Sequence, residues 1–298
     1  MGFARFQVLL AAVLFGTTGT AQALGPDDLD PLAVGALRVL VGGAVLAAIA
    51  AGAGGLFRPW PPARVAIAGA GVALYQVAFF EAVALTGVGV GAVVAIGSGP
   101  VLAGLLERAT GGAWPGRRWL AATMLATAGV TMLTLAAVDD ATLSPLGIAL
   151  ALLSGLGYAT YTVVAKTLLR DGGSPLGVMG ASFGLGALLL IPVAALRDLS
   201  WLASGGGIAL VVYLGLLPTA LAYVLFARGL RRLTAAEVTT LVLAEPLVAL
   251  ALGAVVLDER IGGTGAVGAA CVLAGLAVLA GLGGRRGRLS AAARRDSG

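Results

Sequence analysis

A chain of 298 residues that is 59% hydrophobic and only 11% charged has too few charges to cover a water-facing surface, since soluble domains carry roughly a quarter charged residues. It has no histidine and a single cysteine, Cys271, which excludes histidine triads, histidine zinc sites, histidine proton relays and intrachain disulfides. A net charge of +5 says little by its sum; no phosphate loop, dinucleotide fingerprint or EF-hand pattern accompanies it, and no cofactor is expected.

A membrane-crossing helix needs about 20 mostly apolar residues. The first such run spans roughly 6–24. Arg5 and Ala21-Gln-Ala23 give it the look of a signal peptide, but Gly16-Thr-Thr-Gly-Thr20 interrupts the apolar core, so it reads as a retained span. After Gly25-Pro-Asp-Asp-Leu-Asp30 comes 31–53, which carries Arg38 about six residues below its outer end. Arg58-Pro-Trp-Pro-Pro62 separates it from 63–85, with Tyr75, Gln76 and, near the outer end, Glu81. The fourth run, 88–106, holds Pro100 and follows with hardly a break; the fifth is 118–137. Beyond Val138-Asp-Asp140 lies 145–169, with Tyr158, Tyr161 and Lys166, and after Asp171-Gly-Gly-Ser-Pro175 comes 175–196. The eighth run, 207–230, ends near Arg228. The ninth, 234–257, carries Glu237 at its inner end and Glu245-Pro246 in its middle. Asp258-Glu-Arg260 precedes the tenth, 261–282. The turn chemistry of these breaks predicts ten transmembrane helices in an all-α membrane protein.

Positive residues orient the helices. With the N-terminus in the cytoplasm, sixteen of the nineteen Lys and Arg residues fall on inner segments, Arg197 and Arg260 fall outside, and Arg38 lies within a helix. The expected location is therefore the cytoplasmic membrane, with both termini cytoplasmic. The basic tail, 285–298, marks that side and is a place for anionic membrane lipid to bind rather than nucleic acid.

A shift of 146 residues, Phe80 to Phe226, also brings Pro100 onto Pro246 and Ala128-Gly129 onto Ala274-Gly275. The helix order thus repeats after five. Five is odd, so the second half enters the membrane from the opposite side, as in the inverted repeats of many secondary transporters. The chain divides into a first repeat at 1–140, a second at 141–284 and the tail at 285–298. The paired prolines predict kinks near mid-bilayer in both helices, because proline removes a donor and crowds the preceding turn. Gly87–Gly91 and Gly180–Gly184 have the GxxxG spacing that serves packing within one chain or a homodimer.

Leu14-Phe-Gly16, Gly35-Ala-Leu-Arg38, Leu241-Val-Leu-Ala-Glu-Pro246 and Leu257-Asp-Glu-Arg260, in this order across ten helices, make the sequence resemble the drug/metabolite transporter superfamily, in its ten-helix branch with two EamA-type domains. The resemblance covers about 6–282. It implies export or exchange of small metabolites, amino acids among them, by alternating access. One departure is Gly99-Pro100 where the second half has Glu245-Pro246, so any role of that carboxylate is one-sided.

Ionisable groups inside a membrane need a partner, water or a substrate. Glu245 is the deepest and is a candidate substrate or proton site. Arg38 and Glu81 have similar depths and are expected to pair, or to touch substrate. Arg228 and Glu237, at adjacent inner ends, are expected to pair or to snorkel to water with Lys166. Tyr75, Gln76, Tyr158 and Tyr161 supply further hydrogen-bonding groups for a cavity wall. The expected function is secondary transport of a small polar or amphipathic molecule. Multidrug export, a membrane enzyme acting on lipid or isoprenoid, and a cavity-free structural protein are the alternatives. An enzyme would want clustered acids or histidines, and the acids here are scattered.

Overall fold

A computed structural model describes residues 2–112, 114–136 and 144–281; the basic tail and Val138-Asp-Asp140 lie outside these. Among the described residues are ten helices long and apolar enough to span a membrane. They are α1 (Gly2–Ala23), α2 (Pro31–Gly52), α3 (Pro62–Gly87), α4 (Val90–Ala109), α5 (Gly116–Leu135), α6 (Pro145–Arg170), α7 (Pro175–Ala195), α8 (Gly205–Leu230), α9 (Ala235–Val256) and α10 (Gly263–Ala280).

Several helices start on the same local chemistry. The Asp30 carboxylate accepts from the Leu32 and Ala33 amides at 2.9 and 3.1 Å, and Pro31 occupies the first turn, where its missing N–H costs nothing. Ser144-Pro145 and Ser174-Pro175 open α6 and α7 in the same way, each serine accepting from the glycine three residues on.

Three helices depart from simple rods. The turn between α3 and α4 is very short: Gly87, whose φ of 77° and ψ of 163° suit a residue without Cβ, interrupts the helical backbone, and Gly91 folds back against Val83 and Thr86. Helix α8 widens into a π-helical turn over Leu216–Leu221, which accommodates Pro218. Helix α9 is broken into Ala235–Val242 and Glu245–Val256, and Pro246 stands in the first turn of the second piece.

The paired prolines sit in different local backbone. Around Pro246 the amides of Leu243 and Ala244 bond three residues back, to Thr240 and Leu241. Pro100 lies inside α4, and the only non-helical φ/ψ in the Pro62–Ala109 stretch is at Gly87. The preceding residues explain the difference. Gly99 has no Cβ to meet the proline ring, whereas Glu245 does.

The contacts between repeats are dyadic. Ideal Cβ atoms on Gly129 and Gly275 show how closely α5 and α10 approach: Gly129 faces Gly268 O at 2.6 Å and Val272 N at 2.7 Å, and Gly275 faces Ala122 O at 2.7 Å and Ala126 N at 2.9 Å. Exchanging residues separated by 146 converts one set into the other. In α2 and α7, Gly43 sits on Phe183 and Ala187, while Gly180 sits on Leu46 and Ala50. Each helix pair is antiparallel and maps onto itself, so the dyad runs perpendicular to the helices, as an inverted repeat requires. Elsewhere α1 packs on α8 and α9, and α6 packs on α3 and α4. Gly180 and Gly184 both contact α2, so this GxxxG spacing serves packing within the chain.

Candidate central site

Charged side chains separate the two ends of the bundle. At one end, Arg5 donates to Glu237 Oε1 at 2.6 Å and to Ala280 O at 3.2 Å, tying α1 to α9 and α10. Arg118 donates to Val278 O at 2.6 Å. Arg58 reaches the carbonyls of Asp171 and Gly172, and Arg64 pairs with the Asp171 carboxylate. We refer to this as the basic end. The expected Arg228–Glu237 pair does not form: α1 places Arg5 directly against Glu237. Lys166 also departs from expectation. Instead of snorkelling it is buried, and its Nζ donates to Leu230 O at 2.7 Å, Leu233 O at 2.6 Å and Arg231 O at 3.3 Å. It thereby satisfies the carbonyls that α8 leaves open at its C-terminus. Glu107, only 3% exposed, accepts from the Ala236 amide at the start of α9 at 3.3 Å, with Arg170 3.8 Å away.

The basic end is tightly packed. In the first piece of α9, Ala235, Ala236, Val238 and Thr239 to Val242 are all buried. Trp119 Nε1 donates to Ala236 O at 3.1 Å and to Thr240 Oγ1 at 3.0 Å, and Thr240 also bonds Thr123 at 2.8 Å. Beyond Ala244 the packing loosens: within Glu245–Val256 only Gly253 is buried. Glu245 stands at that transition.

At the opposite end, the expected Arg38–Glu81 pair is replaced by another. Glu81 accepts from Arg197 at 3.2 Å, and Asp30 lies 3.6 Å from the same guanidinium. All three side chains are at least a quarter exposed, so these charges keep their water. Nearby, the Ser200 amide and hydroxyl donate to Asp198 and hold its carboxyl below the ordinary carboxylate range.

Arg38 turns instead toward the middle of the bundle. Its Nη2 donates to Gln76 Oε1 at 2.8 Å, and Gln76 Nε2 donates to Gly35 O at 2.8 Å. Gln76 is 1% exposed and therefore holds Arg38 from behind rather than facing a cavity. Arg38 Nε is buried with no partner. Glu245, half-buried, makes no hydrogen bond or ion pair with the described residues, and its backbone lies against Gly16 of α1, beside Phe15.

Aromatic rings surround these groups. The Tyr75 and Tyr223 hydroxyls meet at 3.0 Å. Phe183 and Tyr223 have ring centroids 4.1 Å apart, Phe15 and Tyr223 5.0 Å, and Tyr158 and Tyr161 5.5 Å. Tyr158 is half-buried and its hydroxyl has no partner. Tyr161 is fully buried and backs the wall, packed edge-on against Phe183 at 5.8 Å. The structure thus brings Arg38, Gln76, Tyr75, Tyr158, Tyr161 and Glu245 together, and leaves Glu81 outside. It adds Tyr223, Phe15, Phe183 and Phe226. Tyr223 and Phe226 share a helix face three residues apart, as Tyr158 and Tyr161 do, and that spacing was the available signal in the sequence.

The EamA-like transporter family matches residues 3–135 and again 145–281. The chain is 39% identical over 272 residues to the uncharacterized transporter YwfM of Bacillus subtilis, covering 91% of each chain. It is 33% identical over 268 residues to an uncharacterized protein of Pseudomonas aeruginosa, covering 86% of each. A crystal structure superposes with a TM-score of 0.81 over 95% of this chain and 98% of that one, at 24% identity, which is a likeness of fold.

Proposed function

The chain belongs to the EamA-like transporter family as a multi-pass membrane protein, and we propose that it moves a small metabolite bearing both a carboxylate and an amine, such as an amino acid, by alternating access. The observation that carries this reading is an Arg38 whose buried Nε has no partner and a Glu245 from the other repeat that makes no hydrogen bond or ion pair, both next to the cluster of Tyr75, Tyr223 and Phe15. Arg38 Nε and the Tyr158 hydroxyl are buried polar groups without partners. Such groups cost free energy unless a ligand or water completes them. A zwitterion supplies both complements: its carboxylate goes to Arg38 and its amine to Glu245. The rings of Tyr75, Tyr158 and Tyr223 take its apolar part.

The basic end is cytoplasmic in this proposal, because lysine and arginine concentrate there. The packing of Ala235–Val242 against Trp119 and Thr123 then closes the site from the cytoplasm. The interruption at Leu243–Ala244 supplies the hinge in α9 beside Pro246. The test is uptake and counterflow in proteoliposomes against a panel of amino acids, their decarboxylated amines and their deaminated acids. Amino acids should exchange, and substrates lacking one of the two groups should exchange poorly. Equal exchange of the amines alone would overturn the zwitterion reading in favour of cation export.

A further inference from the structure

Five of the ten described arginines at the basic end are engaged, and Arg108 and Arg117 stand exposed without a partner. Arg5 bonds Glu237, Arg58 and Arg64 bond the Asp171 turn, Arg118 bonds Val278 O and Arg170 lies by Glu107. Arg228, Arg231 and Arg232 are set apart by where they meet. They are exposed, make no side-chain hydrogen bond or ion pair with any described residue, and gather around one cavity of about 250 Å³, completed by Phe3, Gln7 and Pro175. Three helices meet here, since Phe3 and Gln7 come from α1, Pro175 starts α7, and the arginines end α8.

Three guanidiniums around one cavity repel one another unless an anion lies between them. The acid best placed at this end, Glu237, is taken by Arg5. The chain's own tail is a poor occupant, because residues 285–298 contain five arginines and one aspartate. Guanidinium forks match phosphate oxygens bidentately. The rim adds an apolar element: Phe3 is 73% exposed and stacks on Phe6, itself 58% exposed, with centroids 6.5 Å apart. An exposed aromatic pair at a helix terminus belongs at the membrane interface, where acyl chains begin.

We propose that Arg228, Arg231 and Arg232, with Gln7 and the Phe3–Phe6 pair, form a binding site for the phosphate headgroup of an anionic phospholipid. The headgroup phosphate lies among the guanidiniums, and its acyl chains run along Phe3 and Phe6. The lipid then bridges α1, α7 and α8 on the side of the α8–α9 turn opposite Lys166, which holds the same turn from within. This proposal is independent of the transported substrate.

The test uses the full chain purified in a neutral detergent, with thermal unfolding followed during titration of phosphatidylglycerol, phosphatidylcholine or inorganic phosphate. Phosphatidylglycerol should raise the unfolding temperature, and the other two should not at equal concentration. At about one arginine's worth of surface attraction per residue, the triple Arg228→Gln, Arg231→Gln, Arg232→Gln variant should bind about a hundredfold more weakly. Arg228→Gln and Arg232→Gln alone should each weaken binding about fivefold, so the test survives misfolding of the triple variant. Neutralising the five tail arginines should leave the affinity within about twofold of wild type. An equal response to phosphatidylcholine, wild-type affinity in the arginine variants, or loss of binding on neutralising the tail would each overturn the site. Stabilisation by inorganic phosphate equal to that by the lipid would overturn the lipid assignment.

Discussion

Replacing Lys166 with methionine removes a buried ammonium while keeping most of the side-chain volume. Two short bonds are lost, to Leu230 O and Leu233 O at 2.7 and 2.6 Å, with a third, longer one to Arg231 O at 3.3 Å. Charge-assisted hydrogen bonds contribute about 1.5–3 kcal/mol each, so the two short ones together supply about 3–6 kcal/mol. Against this stands the cost of holding a charge in the membrane, about 2.5–3.5 kcal/mol at a helix centre and less near an end. Lys166 lies four residues from the end of α6, so the smaller cost applies. Three carbonyls at the α8 terminus are then left without their donor. The hydrogen bonds win, and Lys166→Met should destabilise the protein by about 1–3 kcal/mol. Reversible unfolding in mixed detergent–sodium dodecyl sulfate micelles measures this. A variant as stable as wild type, or more so, would refute the reasoning and make Lys166 a tolerated charge rather than a tie between α6 and the α8–α9 turn.

Gly129→Ala places a methyl 2.6 Å from Gly268 O, where the contact is backbone and cannot swing away; unfolding in the same micelles should show a loss of about 1–3 kcal/mol. Because Glu81 pairs with Arg197 and not with Arg38, the unfolding free energies of Arg38→Leu and Glu81→Leu should add within about 0.5 kcal/mol in a double-mutant cycle, while Glu81 and Arg197 should show coupling of about 0.2–1 kcal/mol. The Asp198 carboxyl is held below its ordinary range by Ser200. Its contribution to the Ser200–Ala203 turn is therefore full above the ordinary carboxylate range and is lost as pH falls through the depressed value. Hydrogen exchange at Ser200 should quicken only on that acid side, relative to an Asp198→Asn variant. Glu245→Gln keeps size and hydrogen bonding but cannot titrate, so it should fold normally, transport weakly and show a flatter pH profile in proteoliposomes; an unchanged profile would leave Glu245 a structural residue.

Helix count and placement were legible because each span is a long apolar run closed by turn residues such as Asp30-Pro31 or Ser174-Pro175. The α3–α4 junction was the hardest to see, since the chain turns at Gly87 with no charged residue or proline beside it. The repeat was legible through Gly129 and Gly275, which are glycines because backbones meet there. Side-chain partners were less legible. Similar depth suggested Arg38 with Glu81, but depth does not say which way a long side chain points around its helix. The buried Gln76 decides it, drawing Arg38 inward, and leaves Glu81 to the exposed Arg197. Lys166 was misread for a related reason. A lysine near a helix end ordinarily reaches water, and only the folded position of the α8 carbonyls makes burial favourable. For Tyr223 the sequence offers only its spacing to Phe226, and its place in the site depends on Phe15, Phe183 and Tyr75, which come from other helices.

In the proposed function Arg38 and Glu245 are the two poles of one binding site. Its most direct measurement is equilibrium binding of whichever radiolabelled amino acid exchanges in proteoliposomes, compared among wild type, Arg38→Gln, Glu245→Gln and the double variant. Each single change should weaken binding at least about tenfold, the worth of one charge-assisted bond. The decarboxylated amine should be insensitive to Arg38→Gln, and the deaminated acid insensitive to Glu245→Gln. Wild-type affinity in both single variants, with correctly folded protein, would contradict the account.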